Sequence, residues 1–168
     1  MLVKWKTIWF FALGSLILLW GCAPKKIVSL PVKLVRTATG RGAEELRLQV
    51  TVAQNANQNT PVAVDLVMVA DKDLLKQISG MTAVQWFGKR SQIQRDYTKK
   101  VEFKSWEWVP GTQAPVSVPL LNGLKGAVLF ADYSTPGDHR AILDPRRSSA
   151  ISLLETDFTV GDLTSSVK

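Results

Sequence analysis

The sequence contains one cysteine, Cys22, and one histidine, His139. A lone cysteine rules out a disulfide within the chain. With a single histidine beside it, the usual cysteine and histidine zinc sets are excluded as well. No spacing matches a twelve-residue calcium loop, so no metal is expected. No Walker loop and no G-x-G-x-x-G occurs, which leaves a nucleotide or other cofactor without support. The G-x-S-x-G elbow of hydrolases is missing too. Long apolar runs are also lacking. The uncharged stretch from Thr7 to Trp20 is shorter than the about 20 apolar residues that a membrane-crossing helix needs, and Pro24-Lys25-Lys26 follows closely.

What is present at the start is the layout of an export signal: Lys4 and Lys6, a short apolar region, then the small residue Gly21. Leu19-Trp20-Gly21-Cys22 resembles the lipobox of bacterial lipoproteins, in which the cysteine becomes the lipidated first residue. The resemblance implies a signal peptide over 1–21, a lipidated tether over 22–43 and a membrane held through Cys22. Ala23 stands where an inner-membrane retention signal would have Asp, which implies the periplasmic face of the outer membrane.

The formal charge is +7, and losing Lys4 and Lys6 with the signal brings it to +5. Such a balance suits an acidic partner or an anionic surface, but the chain shows no nucleic-acid-binding module, and no nucleic acid is expected for an exported protein. What remains is enough for one domain with a hydrophobic core, expected over 44–162 with a tail over 163–168.

From Glu45 the pattern alternates: Leu46, Leu48, Val50 and Val52 are separated by polar residues, the signature of a half-buried strand. The polar loop Gln54 to Thr60 follows, and Pro61 opens a second strand to Ala70 with Val67 and Val69 apolar on its far side. These two strands are expected to form a hairpin. Asp71 to Ile78 and Ala83 to Tyr97 read as helices. The second is capped by Thr82, with Val84, Phe87 and Trp86 inward and Arg90 outward. The pair is expected to cover an edge or face of the sheet.

Further strands are expected at Val101–Val109, Val116–Leu120, Gly126–Tyr133, Arg140–Leu143 and Ile151–Val160, punctuated by turn signals such as Pro110-Gly111 and Asn122-Gly123. The pattern predicts a mainly β protein, an antiparallel β-sandwich of about seven strands with a helical insertion between strands two and three.

Candidate chemistry is thin. Thr135-Pro136-Gly137-Asp138 predicts a turn that leaves His139 in solvent, and Glu102 and Glu107, five apart, fall on opposite strand faces. No enzyme is expected. Trp106 and Trp108 have the opposite parity to Val101 and Phe103, so either a bulge resets the phase near Ser105 or the rings line the other face. They are core, or they are an aromatic patch for a protein or sugar.

The lipobox, the strand Leu46 to Ala53, the Asn-rich loop before Pro61-Val62-Ala63-Val64, the helix after strand two and the late strand Ala127 to Tyr133 together resemble a family. It is the TssJ outer-membrane lipoproteins of type VI secretion systems. The resemblance implies a transthyretin-like sandwich that docks the periplasmic end of a TssM-like protein and anchors the secretion complex. It also implies docking through the loop carrying Asn55, Asn57, Gln58, Asn59 and Thr60. A pilotin or chaperone-like lipoprotein that adds a strand from an outer-membrane subunit, or a small-ligand-binding lipoprotein, would fit the same export signal.

Overall fold

The computed structural model describes residues 44–163. The signal peptide, Cys22 and the tether to residue 43 lie outside the described residues, as does the tail from 164. No helix among the described residues is long and apolar enough to cross a membrane.

The strands are β1 (Glu45–Val52), β2 (Val62–Val69), β3 (Val101–Trp108), β4 (Gln113–Pro119), β5 (Gly126–Asp132), β6 (Arg140–Leu143), β7 (Ser149–Leu153) and β8 (Phe158–Asp162). The helices α1 (Lys72–Ser79) and α2 (Ala83–Asp96) separate β2 from β3. One sheet has the order β4-β1-β7-β8 and the other β3-β2-β5-β6. The fold is therefore a β-sandwich with a helical insertion, as the strand rhythm predicts, with three corrections.

The predicted strand Ile151–Val160 is a hairpin of two strands, making eight, because the polar run Glu155-Thr156-Asp157 turns the chain and Leu154 N–H closes on Asp157 C=O at 2.9 Å. The predicted β1–β2 hairpin does not form. β1 pairs with β4 and β7 while β2 pairs with β3 and β5, so the Asn-rich loop crosses from one sheet to the other. The first sheet is also not purely antiparallel, since β1 and β7 run parallel.

The core follows from strand parity. Leu46, Leu48, Val50 and Val52 of β1 meet Val62, Val64, Leu66 and Met68 of β2 between the sheets. The other side of β2, with Val67 and Val69, is covered by Leu74, Ile78, Trp86 and Ile93 of the helices. The central strands β2 and β5 are thus buried on both faces, which explains why β2 reads as apolar throughout its far half.

Both helices start on side-chain caps. Asp71 accepts from the N–H groups of Asp73 and Leu74, and Thr82 and Gln85 form a reciprocal capping box. The Leu74 N–H, then the Lys100 ammonium, hold the Asp71 carboxyl below its ordinary value. Within α2 the predicted inward face is wrong at two positions. Val84 is 68% exposed, and Arg90 turns back toward the sheet. The helix is instead phased by Trp86, which stacks on Phe130 at 5.3 Å and donates its indole N–H to the buried Asp65 at 2.8 Å.

Trp106 and Trp108 sit in unbroken register opposite Val64 and Val62, with no bulge. They therefore lie on the inter-sheet face, each half-buried and packed against the core rather than standing out as a patch. The gap left between them and Leu48, Val50 and Val64 is about 10 Å³, room for about one water.

Candidate functional site

Four connections meet at one end of the sandwich: β1–β2, β3–β4, β5–β6 and β7–β8. The chain enters the domain at Glu44, at the opposite end. The eight residues of β1 span about 26 Å at roughly 3.3 Å each, so this loop cluster lies far from the point of entry.

The β1–β2 connection is built on a left-handed turn. Asn57, Gln58 and Asn59 have φ of 45°, 57° and 64° in succession. Non-glycine residues enter this region at a cost, least for asparagine, and something must hold the turn in place. Asn57 does so. It is 5% exposed; its amide donates to Pro61 C=O at 3.1 Å, and its side-chain oxygen accepts from Ser134 N–H at 2.8 Å and Ser134 Oγ at 2.9 Å. Asn57 N–H donates to Leu154 C=O at 3.1 Å, and Thr60 Oγ1 donates to Asn57 C=O at 2.6 Å. Of the five residues predicted for docking, Asn57 is thus a buried anchor, whereas Asn55, Gln58, Asn59 and Thr60 are exposed.

The neighbouring loops are tied in by Glu155, Thr135, Thr156 and Gly111, none of them among the predicted site residues. Asn55 Nδ2 donates to Glu155 at 3.1 Å, and Thr135 Oγ1 to Thr156 C=O at 2.6 Å. Gly111, with φ of +81°, presses its Cα against Gln54: a Cβ there would come within 2.8 Å of the Gln54 amide. These contacts join positions far apart in sequence, so no local motif announces them.

His139 is the clearest correction. It is 5% exposed rather than in solvent. Its Nε2 faces Thr135 C=O at 2.8 Å and its Nδ1 faces Asp157 Oδ1 at 3.0 Å. Gly137 lies against the ring so closely that a Cβ would stand 2.6 Å from it. The histidine locks the β5–β6 and β7–β8 loops together, and Ser134 hydrogen-bonds to Asn57 rather than to the imidazole. Both ring nitrogens are occupied by these structural contacts, which is the wiring of a brace rather than of a nucleophile's base.

Tyr133 completes the brace, its phenol oxygen accepting from Leu154 N–H at 3.1 Å. Burial pushes the phenol up to about 12, the Leu154 contact works against this, and the Asp157 carboxylate adds to the rise. A raised phenol means that folding favours the neutral form. The stabilisation is complete below about pH 10 and is lost as pH rises through about 12. Denaturant midpoints between pH 9 and 12 should fall more steeply for the parent than for Tyr133→Phe; equal slopes would contradict this.

The resulting surface carries the amides of Asn55, Gln58 and Asn59, with the exposed apolar side chains of Leu154 and Val109 on the adjoining turns. No group of three or more His, Cys, Asp or Glu among the described residues is placed to hold a metal.

No protein-family model and no curated protein matches the sequence. Solved structures do match in fold. The T6SS lipoprotein TssJ1 from Pseudomonas aeruginosa is similar at a TM-score of 0.58 and 15% identity, over 74% of this chain and 99% of that one. Serratia marcescens Lip, a membrane-bound component of the type VI secretion system, is similar at 0.56 and 9%, over 74% of this chain and all of the other. A chain in the structure of the T6SS protein TssM C-terminal domain from EAEC is similar at 0.53 and 16%, over 71% and 98%. At these identities the likeness is one of fold, and it spans the whole of each matched lipoprotein rather than a fragment.

Proposed function

We propose that this chain is a TssJ-like lipoprotein that anchors a type VI secretion membrane complex, non-enzymatically, on the periplasmic face of the outer membrane. In this reading Cys22 carries the lipid, and the loop cluster docks the periplasmic domain of a TssM-like protein. The observation that carries the proposal is the left-handed β1–β2 turn, held rigid by Asn57 at the end farthest from Glu44. In this reading the tether joins the domain at Glu44, so the loop cluster at the opposite end is not the point of attachment. Rigid loops bind with little ordering cost, and such presentation on a scaffold is the usual setting of a recognition surface. The fold shared with T6SS lipoproteins supports a TssM-like protein as the partner in this reading.

Two experiments test it. Cys22→Ser should convert a membrane-bound protein into a soluble periplasmic one; unchanged partitioning would remove the lipid anchor from the proposal. Gln58→Gly with Asn59→Gly strips two exposed amides while keeping a residue that tolerates positive φ. Stability should move by no more than about 1 kcal/mol. Affinity for the periplasmic domain of a TssM-like protein encoded nearby should drop at least about tenfold, chiefly through faster dissociation. Undiminished binding by this variant would take the contact away from the loop.

A further inference from the structure

Sheet edges expose unpaired backbone groups, and proteins usually blunt them. On β4 this is done with proline. Leu120 N–H donates to Glu44 C=O at 2.8 Å, and the alternation of antiparallel pairs then turns Pro115, Ser117 and Pro119 outward. Two of those three residues have no N–H to offer. β6 and β8 are short, at four and five residues. The remaining edge, β3, has eight residues and no proline. Ala70 N–H donates to Lys100 C=O at 2.8 Å, which fixes the phase: Glu102 and Lys104 turn their backbone toward β2, while Phe103 and Ser105 turn theirs outward.

An open groove of about 700 Å³ runs along this part of β3, between the end of α2 and Leu121. Val101, Phe103 and Leu121 give it apolar lining, and Arg95, Lys99 and Lys104 give it positive charge. Lys104 is paired with Glu102 at 2.7 Å, whereas Arg95 and Lys99 have no carboxylate partner among the described residues.

We propose that the β3 edge is a second docking site, which takes a short extended segment of a partner protein, alternating apolar and acidic residues, as an added strand. Backbone pairing to Phe103 and Ser105 supplies affinity, and the cations select the sequence. Charge argues against two other occupants. The chain's own N-terminal segment carries Lys25, Lys26, Lys33, Arg36 and Arg41 with no acid among residues 22–43, so the groove repels it. A second copy paired edge to edge would bring the same cations face to face. The groove lies on the flank nearer the Glu44 end, away from the loop cluster, so a partner here does not compete with one docked there.

The test is an amide NMR titration of the full mature chain in detergent with the capped hexapeptide Val-Glu-Val-Asp-Val-Glu. Saturable shifts at Phe103 and Ser105 are expected, with a dissociation constant of about 1 mM or tighter. Arg95→Glu with Lys99→Glu, both exposed, should weaken binding at least about tenfold. N-methylation of alternate peptide residues should abolish binding in one frame and spare it in the other. The proposal is overturned if the peptide gives no saturable shift, if the Val-Lys counterpart binds equally, or if both N-methylated frames bind. Concentration-dependent shifts at Phe103 and Ser105 without peptide would assign the edge to self-association instead.

Discussion

Replacing Asp65 with alanine is expected to destabilise the domain by about 3–5 kcal/mol, the range found when one partner of a buried ion pair is removed. Asp65 is fully buried on the helix-facing side of β2. Its carboxylate accepts from Trp86 Nε1 at 2.8 Å, Arg90 at 2.7 Å and Ser105 Oγ at 2.6 Å, joining α2 to both β2 and β3. Alanine leaves an indole N–H and a guanidinium without an acceptor beneath a packed helix. Arg90 retains 33% side-chain exposure, and its guanidinium lies 4.8 Å from the Phe87 ring, so solvent and the aromatic ring soften the loss toward the lower end of the range. A fall of roughly 10 °C or more in melting temperature should follow. Adding Arg90→Met to Asp65→Ala should cost less than the sum of the two single changes, because the stranded charge is gone. A drop below about 1 kcal/mol for Asp65→Ala would show that the helices do not depend on this carboxylate.

Asn57→Ala is expected to cost about 2–4 kcal/mol, from several lost hydrogen bonds and the penalty of alanine at positive φ. Asn57→Gly should cost less, since it forfeits the bonds but not the backbone conformation. Hydrogen exchange at residues 56–60 should accelerate in the alanine variant, as the turn loses its anchor. Docking should suffer more from Asn57→Ala than from removing the exposed side chains of Gln58 and Asn59, although Asn57 is buried. A variant that kept full affinity with a disordered turn would separate recognition from the rigid loop. The composition of this loop suggests a solvated segment in which asparagines are interchangeable, and the difference between Asn57 and its neighbours comes from Ser134, 77 residues away.

That contrast runs through the whole molecule. β1 and β2 were legible because burial on one face imposes a period of two, and α1 and α2 because Asp71 and Thr82 mark their starts locally. The β1–β2 crossover was not legible, because strand partners are chosen by the packing of eight strands and the loop itself is compatible with a hairpin. Val84 was misplaced because the phase of α2 is set by an indole that must reach Asp65, 21 residues upstream. His139 follows a strong turn signal, and only the distant Asp157 and the bare face of Gly137 draw it inward. Periodicity and caps are local signals, whereas the candidate site is made almost entirely of contacts between loops.

The most direct test of docking is hydrogen exchange on the mature protein, alone and mixed with the periplasmic domain of a TssM-like protein encoded nearby. Added protection is expected at residues 54–60 and on the adjoining β7–β8 turn around Leu154, with the outer face of β1 and β4 unchanged. No complex at micromolar concentrations, or a complex whose protection leaves residues 54–60 as they were, would contradict the proposed docking role.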